Sequence, residues 1–69
     1  MKISARNRLK GRIVEVKKGA TTAHVRIDIG GGSIVTASIT NESVDELGLA
    51  VGREAYAVVK ASDVMIAVD

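Results

Sequence analysis

Hydrophobic and polar residues alternate with a period of two along most of this chain, and the places where the alternation breaks are as informative as the alternation. From Leu9 to Lys17 the pattern reads as a strand whose phase slips: Leu9, Gly11 and Ile13 fall on one side, Val14 and Val16 on the other. A slip of one residue turns the faces over, so it predicts a bulge or strong bend near Ile13, with Gly11 easing the curvature. Long, bent first strands belong to small closed barrels. Lys18-Gly19-Ala20 then turns the chain. Val25, Ile27 and Ile29 alternate with His24, Arg26 and Asp28 as a half-buried strand. Gly30-Gly31-Gly32 reads as a hairpin connection, and a third strand from Ser33 to Ile39 sets Val35, Ala37 and Ile39 against Ile34, Thr36 and Ser38.

After Thr40 the pattern changes. TNESVDELG carries the marks of a short helix: Thr40 or Asn41 as N-cap, Glu42, Asp45 and Glu46 near the positive end of the dipole, and Gly48 as the stop. Val44 and Leu47 are expected to face the interior. Arg53 to Lys60 is a fourth strand whose run AYAVV predicts burial on both faces, Tyr56 included, and Val64 to Val68 is a fifth, after a break at Ala61-Ser62-Asp63. The order βββαββ, with the helix between strands three and four, predicts an all-β, five-stranded OB-like barrel.

Composition narrows how such a barrel can be stable. The 69 residues (1–69) allow a single domain, and a chain this short buries only about 60% of the surface its unfolded form exposes. It has no Phe, no Trp, one Tyr and no Cys. Bulky core side chains, disulfides and a conventional zinc site are therefore all excluded. Oligomerisation is the remaining route to stability, so a homo-oligomer is expected. No stretch approaches the roughly 20 apolar residues of a membrane span and no signal-like run opens the chain, which predicts a cytoplasmic protein with no membrane partner.

The formal net charge of +2 conceals an asymmetry. Lys2, Arg6, Arg8, Lys10, Arg12, Lys17 and Lys18 face a single acid, Glu15, in the first part of the chain, and the balance reverses afterwards. Concentrated positive potential suits an anionic partner. Catalysis finds no nucleophile, base or metal set to build on: His24 is the only imidazole, on the outward phase of its strand, and the glycine triplet lacks the Lys-Ser/Thr of a phosphate loop. An OB barrel also raises single-stranded nucleic acid, which is bound by exposed aromatics beside a basic groove. Here the basic half is present, while the one aromatic lies in a strand expected to be buried.

A small tetrahedral dianion is the third possibility. It offers only acceptors, so its site calls for Arg, Lys, Ser hydroxyls and backbone N–H groups, without carboxylates nearby. Two segments meet that description: KISARNRLKG at the start, and VVKASDVMI, where Lys60, the Ala61 amide and Ser62 sit at the break between strands.

SARNRLKG at Ser4 to Gly11, the turn at Lys18 to Ala20, SITNESVDELGL at Ser38 to Leu49 and KASDVMI at Lys60 to Ile66 together resemble the molbindin family of Mop-like domains, in order and over essentially the whole chain. The resemblance implies an OB-like barrel and a hexamer built as a trimer of dimers. It implies molybdate or tungstate as ligand, bound between subunits with no organic cofactor, for storage or homeostasis. Carried over by position, it implies that Ser4 and Arg6 contribute a hydroxyl and a guanidinium, that Lys60, the Ala61 amide and Ser62 close the other side, and that Thr40 of a neighbouring subunit contributes. The turn Gly19, Ala20, Thr21 and Thr22 becomes the candidate for a second site near the threefold axis.

Overall fold

In the computed structural model, which describes residues 1–69, the elements run β1 (Asn7–Lys18), β2 (Thr22–Gly30), β3 (Ser33–Thr40), α1 (Asn41–Leu47) and β4 (Glu54–Val59), followed by a 3-10 turn at Ala61–Asp63. The strands form one antiparallel sheet in the order β3-β2-β1-β4. Strand β1 serves two partners, pairing with β4 over Asn7–Arg12 and with β2 over Arg12–Lys18.

The change of partner coincides with the expected bulge. Register shifts between Ile13 and Glu15, Ile13 is buried and Val16 half-buried, and Val14 is the extra residue turned outward. The backbone groups of Ile13 are taken up by the loop before β4: Ile13 N donates to the Arg53 carbonyl at 2.9 Å, and Gly52 N donates to the Ile13 carbonyl at 2.8 Å. Gly11 sits where β1 closes on β2. A Cβ there would run into the Asp28 carbonyl and lie 2.6 Å from Ile27 Cγ2, so glycine is required by contact rather than by dihedral angle. The β2–β3 hairpin turns through Gly31 and Gly32, both with positive φ, which favours glycine at both central positions.

Helix α1 is defined by its caps. Thr40 is the N-cap, its Oγ1 accepting from Ser43 N at 3.0 Å, while Gly48 in the left-handed region ends the helix. Gly48 N donates to Asp45 O and Leu49 N to Val44 O, the paired bonds of a Schellman turn. That turn decides which leucine enters the core. Leu49 is swung back onto the buried cluster, whereas Leu47, expected to face inward, is exposed. Arg53 Nη1 donates to the Gly48 carbonyl at 2.7 Å, supplying the positive group the helix itself lacks in its last turn.

The core is small: Ile13, Ala23, Val25, Ile27, Val44 and Ala57. Two expectations are overturned at its margin. Strand β4 is not buried on both faces, because as an edge strand it packs only Ala55, Ala57 and Val59 inward and leaves Tyr56 and Val58 outward. Val64–Val68 forms no fifth strand; it follows the 3-10 turn without pairing to either free sheet edge, and Met65, Ile66 and Val68 are about nine-tenths exposed. The class remains all-β and OB-like, with four strands in an open half-barrel.

Candidate functional site

The register of β1 with β4 assembles the site. Asn7 pairs with Val59, reinforced by Asn7 Nδ2 donating to the Val59 carbonyl at 3.3 Å across 52 residues of sequence. In an antiparallel pair, whatever precedes Asn7 lies beside whatever follows Val59. Ser4, Ala5 and Arg6 accordingly meet Lys60, Ala61, Ser62 and Asp63 in one open groove of about 680 Å³, floored by Ile3 and Val58.

Five residues expected at the oxyanion site thus converge: Ser4, Arg6, Lys60, Ala61 and Ser62. Their donor groups are unspent. Neither Arg6 nor Lys60 has an ion-pair partner; the two ion pairs of the chain are Lys10–Glu54 at 3.4 Å and Lys18–Asp45 at 2.6 Å. The backbone bonds of the 3-10 turn run from Asp63 N to Lys60 O and from Val64 N to Ala61 O, leaving the Ala61 and Ser62 amides free to donate elsewhere. Two cations, two hydroxyls and two amides therefore face the same space.

One residue departs from the donor-only expectation. Asp63 lines the groove as well, so a carboxylate shares it with the cations. The signal was in KASDVMI itself, where the acid follows Ser62 directly. It halves the net positive charge of the groove.

Thr40 lies elsewhere in the same chain. Its backbone pairs with Thr22, and Asn41 binds the turn twice, through N to the Thr21 carbonyl at 2.9 Å and through Nδ2 to the Gly19 carbonyl at 3.0 Å. Thr40 and Gly19–Thr22 consequently form a second locality, with the Ala20 and Thr21 amides unbonded and the Gly19, Thr21 and Thr22 carbonyls occupied. His24 stands exposed on the outer face opposite Lys17 and Ser38. The chain holds no group of three or more His, Cys, Asp or Glu residues able to hold a metal cation, and no helix long and apolar enough to cross a membrane.

Comparison with known proteins agrees with this geometry. Residues 3–66 match the model of the TOBE domain. A probable molybdenum-pterin-binding protein of Haemophilus influenzae is 51% identical over 69 residues, covering 100% of both chains. The solved molybdate-binding protein from Sporomusa ovata superposes with a TM-score of 0.90 at 37% identity, over 97% of this chain and 98% of that one. The molybdate-bound form of the cytoplasmic molybdate-binding protein ModG gives a TM-score of 0.89 at 43% identity, over 94% of this chain and 46% of its own. A match across nearly the whole chain, in sequence and in fold, shows that this chain belongs to the TOBE domain family, in its molbindin branch.

Proposed function

We propose that this chain binds molybdate or tungstate, without catalysing a reaction on it, and serves to store or buffer the anion in the cytoplasm. The observation that carries the reading is the convergence of unspent donors from the two ends of the chain, Ser4 and Arg6 with Lys60, Ala61 and Ser62, on one groove. Relatives that match over the same residues are described as molybdate-binding proteins, which supports the choice of anion.

The groove is open on one side, and burying a dianion requires donors on every side. Enclosure therefore falls to a second subunit, whose Thr40 is the proposed contributor, in a hexamer arranged as a trimer of dimers. The Gly19–Thr22 turn, with its free amides at Ala20 and Thr21 and the hydroxyls of Thr21 and Thr22, is the proposed second anion site. Phosphate is disfavoured because near neutral pH it carries a proton, for which the donors offer no acceptor. Asp63 is the exception that limits this discrimination.

Calorimetric titration of purified protein with molybdate, tungstate, sulfate and phosphate tests the proposal. Heat with molybdate or tungstate and little with phosphate is expected; no heat with molybdate, tungstate or sulfate overturns it. One observation favours a second reading. Tyr56 is half exposed, directly opposite Lys10 and flanked on β1 by Arg8 and Arg12, so an aromatic does stand on a basic face. An OB-type nucleic-acid-binding module requires salt-sensitive binding of a single-stranded oligonucleotide, and its detection decides for that reading.

A further inference from the structure

Bases recur at every second position where the chain begins: Arg6, Arg8, Lys10 and Arg12. In a strand that period puts Arg8, Lys10 and Arg12 on one face of β1, and all three are exposed. The row runs up to the groove that holds Arg6. Its charges are not equally free. Lys10 pairs with Glu54 at 3.4 Å. Arg12 stands opposite Glu54 on β4 and opposite Asp28 on β2, and its Nη1 donates to the Gly52 carbonyl at 2.7 Å. Arg8 differs from both: its cross-strand neighbour is Val58, and it has neither an ion pair nor a side-chain hydrogen bond within the chain.

Val58 is also part of the floor of the groove. The one cation of the row with no acid opposite it therefore stands across from the groove floor, while lying outside the residues that line the groove. Charge balance gives that position a consequence. Arg6 and Lys60 against Asp63 leave the groove one net positive charge, half of what a dianion carries. Arg8 supplies a second from the rim. Two residues along a strand span about 7 Å, too far for a hydrogen bond yet within the Debye length of about 8 Å at physiological ionic strength.

We infer that Arg8 is a rim cation that draws the oxyanion into the groove by long-range attraction, without contacting it once it is bound. The inference rests on the anion-binding reading above and adds a residue that acts on that site from outside. Salt distinguishes the two kinds of action. A unit charge about 8 Å from a dianion, through water, changes affinity about fourfold at 0.01 M salt, about twofold at 0.15 M and negligibly at 1 M. Loss of a direct charge-assisted hydrogen bond weakens binding about tenfold or more, and 1 M salt does not abolish that loss.

Calorimetric titration of the intact protein with sodium molybdate, in 0.01, 0.15 and 1 M sodium chloride at about these ionic strengths, tests the assignment. The binding event followed is the one that Arg6→Ala weakens. Arg8→Gln is expected to bind about fourfold more weakly than the unmodified chain at the lowest salt and equally well at the highest, while Arg8→Lys stays close to the unmodified chain throughout. Arg8 is exposed and unpaired, so neither change is expected to alter Tm. Arg26→Gln supplies the control. It removes the same charge from an exposed position on β2, opposite Glu15 and beyond the bulge, and is expected to leave affinity nearly unchanged. Equal affinity of Arg8→Gln and the unmodified chain at the lowest salt overturns the inference. A loss that persists at 1 M overturns it too, by making Arg8 a contacting ligand. So does an equal loss in Arg26→Gln, which reduces the effect to net charge. If the unmodified protein binds no molybdate at any salt, the anion-binding reading itself fails.

Discussion

Replacing Arg6 by alanine separates binding from stability more cleanly than any other change at the groove. Its guanidinium has no ion-pair or hydrogen-bond partner within the chain, so its removal leaves no buried group unsatisfied. Surface changes of that kind alter stability by less than about 0.5 kcal/mol, or a few degrees in Tm for a domain of this size. Binding is a different matter. Hydrogen bonds to charged groups are worth about 1.5–3 kcal/mol, which corresponds to roughly a 10- to 150-fold weaker Kd. The charge balance points the same way: without Arg6, Lys60 alone faces Asp63, and the groove offers a dianion no net positive charge. Arg6→Lys retains the charge but loses the planar fork, so an intermediate affinity is expected. Titration calorimetry with molybdate, run beside thermal melts of the anion-free proteins, supplies both readouts. An Arg6→Ala protein with unchanged Tm and unchanged affinity would refute the assignment outright. As a contrast, Arg53→Ala strips the partner from the Gly48 carbonyl and should lower Tm.

Asp63→Asn removes the single carboxylate from the groove and is expected to tighten molybdate binding about three- to tenfold, measured by the same titration; weaker binding would show that the acid positions the donors instead. Gly11→Ala forces a methyl group against the Asp28 carbonyl and Ile27, an overpacking expected to cost about 1–3 kcal/mol and to appear as a Tm lowered by several degrees. Thr40→Ala loses the helix cap, worth about 1 kcal/mol, whereas Thr40→Ser keeps it; if Thr40 also reaches the anion from a neighbouring subunit, affinity falls in the alanine variant and is retained in the serine one.

Most of the half-barrel could be read from local chemistry. The slip between Ile13 and Val14 became a bulge, and the glycine triplet became a hairpin. Thr40 and Gly48 became caps. What escaped was set by the relation of elements to one another. Leu47 and Leu49 are indistinguishable as apolar residues after a helical turn, and only the paired bonds of the Schellman cap select Leu49. The run AYAVV was apolar enough for double burial, but β4 ended up at the sheet edge with one face uncovered. Val64–Val68 had the composition of a strand, yet a strand also needs an edge to pair with, and within this chain the segment after the 3-10 turn pairs with none. The groove that gathers the candidate residues has a simpler origin. Ser4, Arg6, Lys60 and Ser62 are brought together by one antiparallel register, while Asp63 was hidden by the donors around it.

The outward position of Tyr56 gives the molecule an unusual optical character. It is the only tyrosine in a chain without tryptophan, so all near-ultraviolet emission originates from a ring on the outer face of β4, beside Lys10 and away from the core. Unfolding of a single chain should therefore change its fluorescence little. Contact of another molecule with that face should quench or shift it directly, which makes the native protein a label-free reporter of its own encounters.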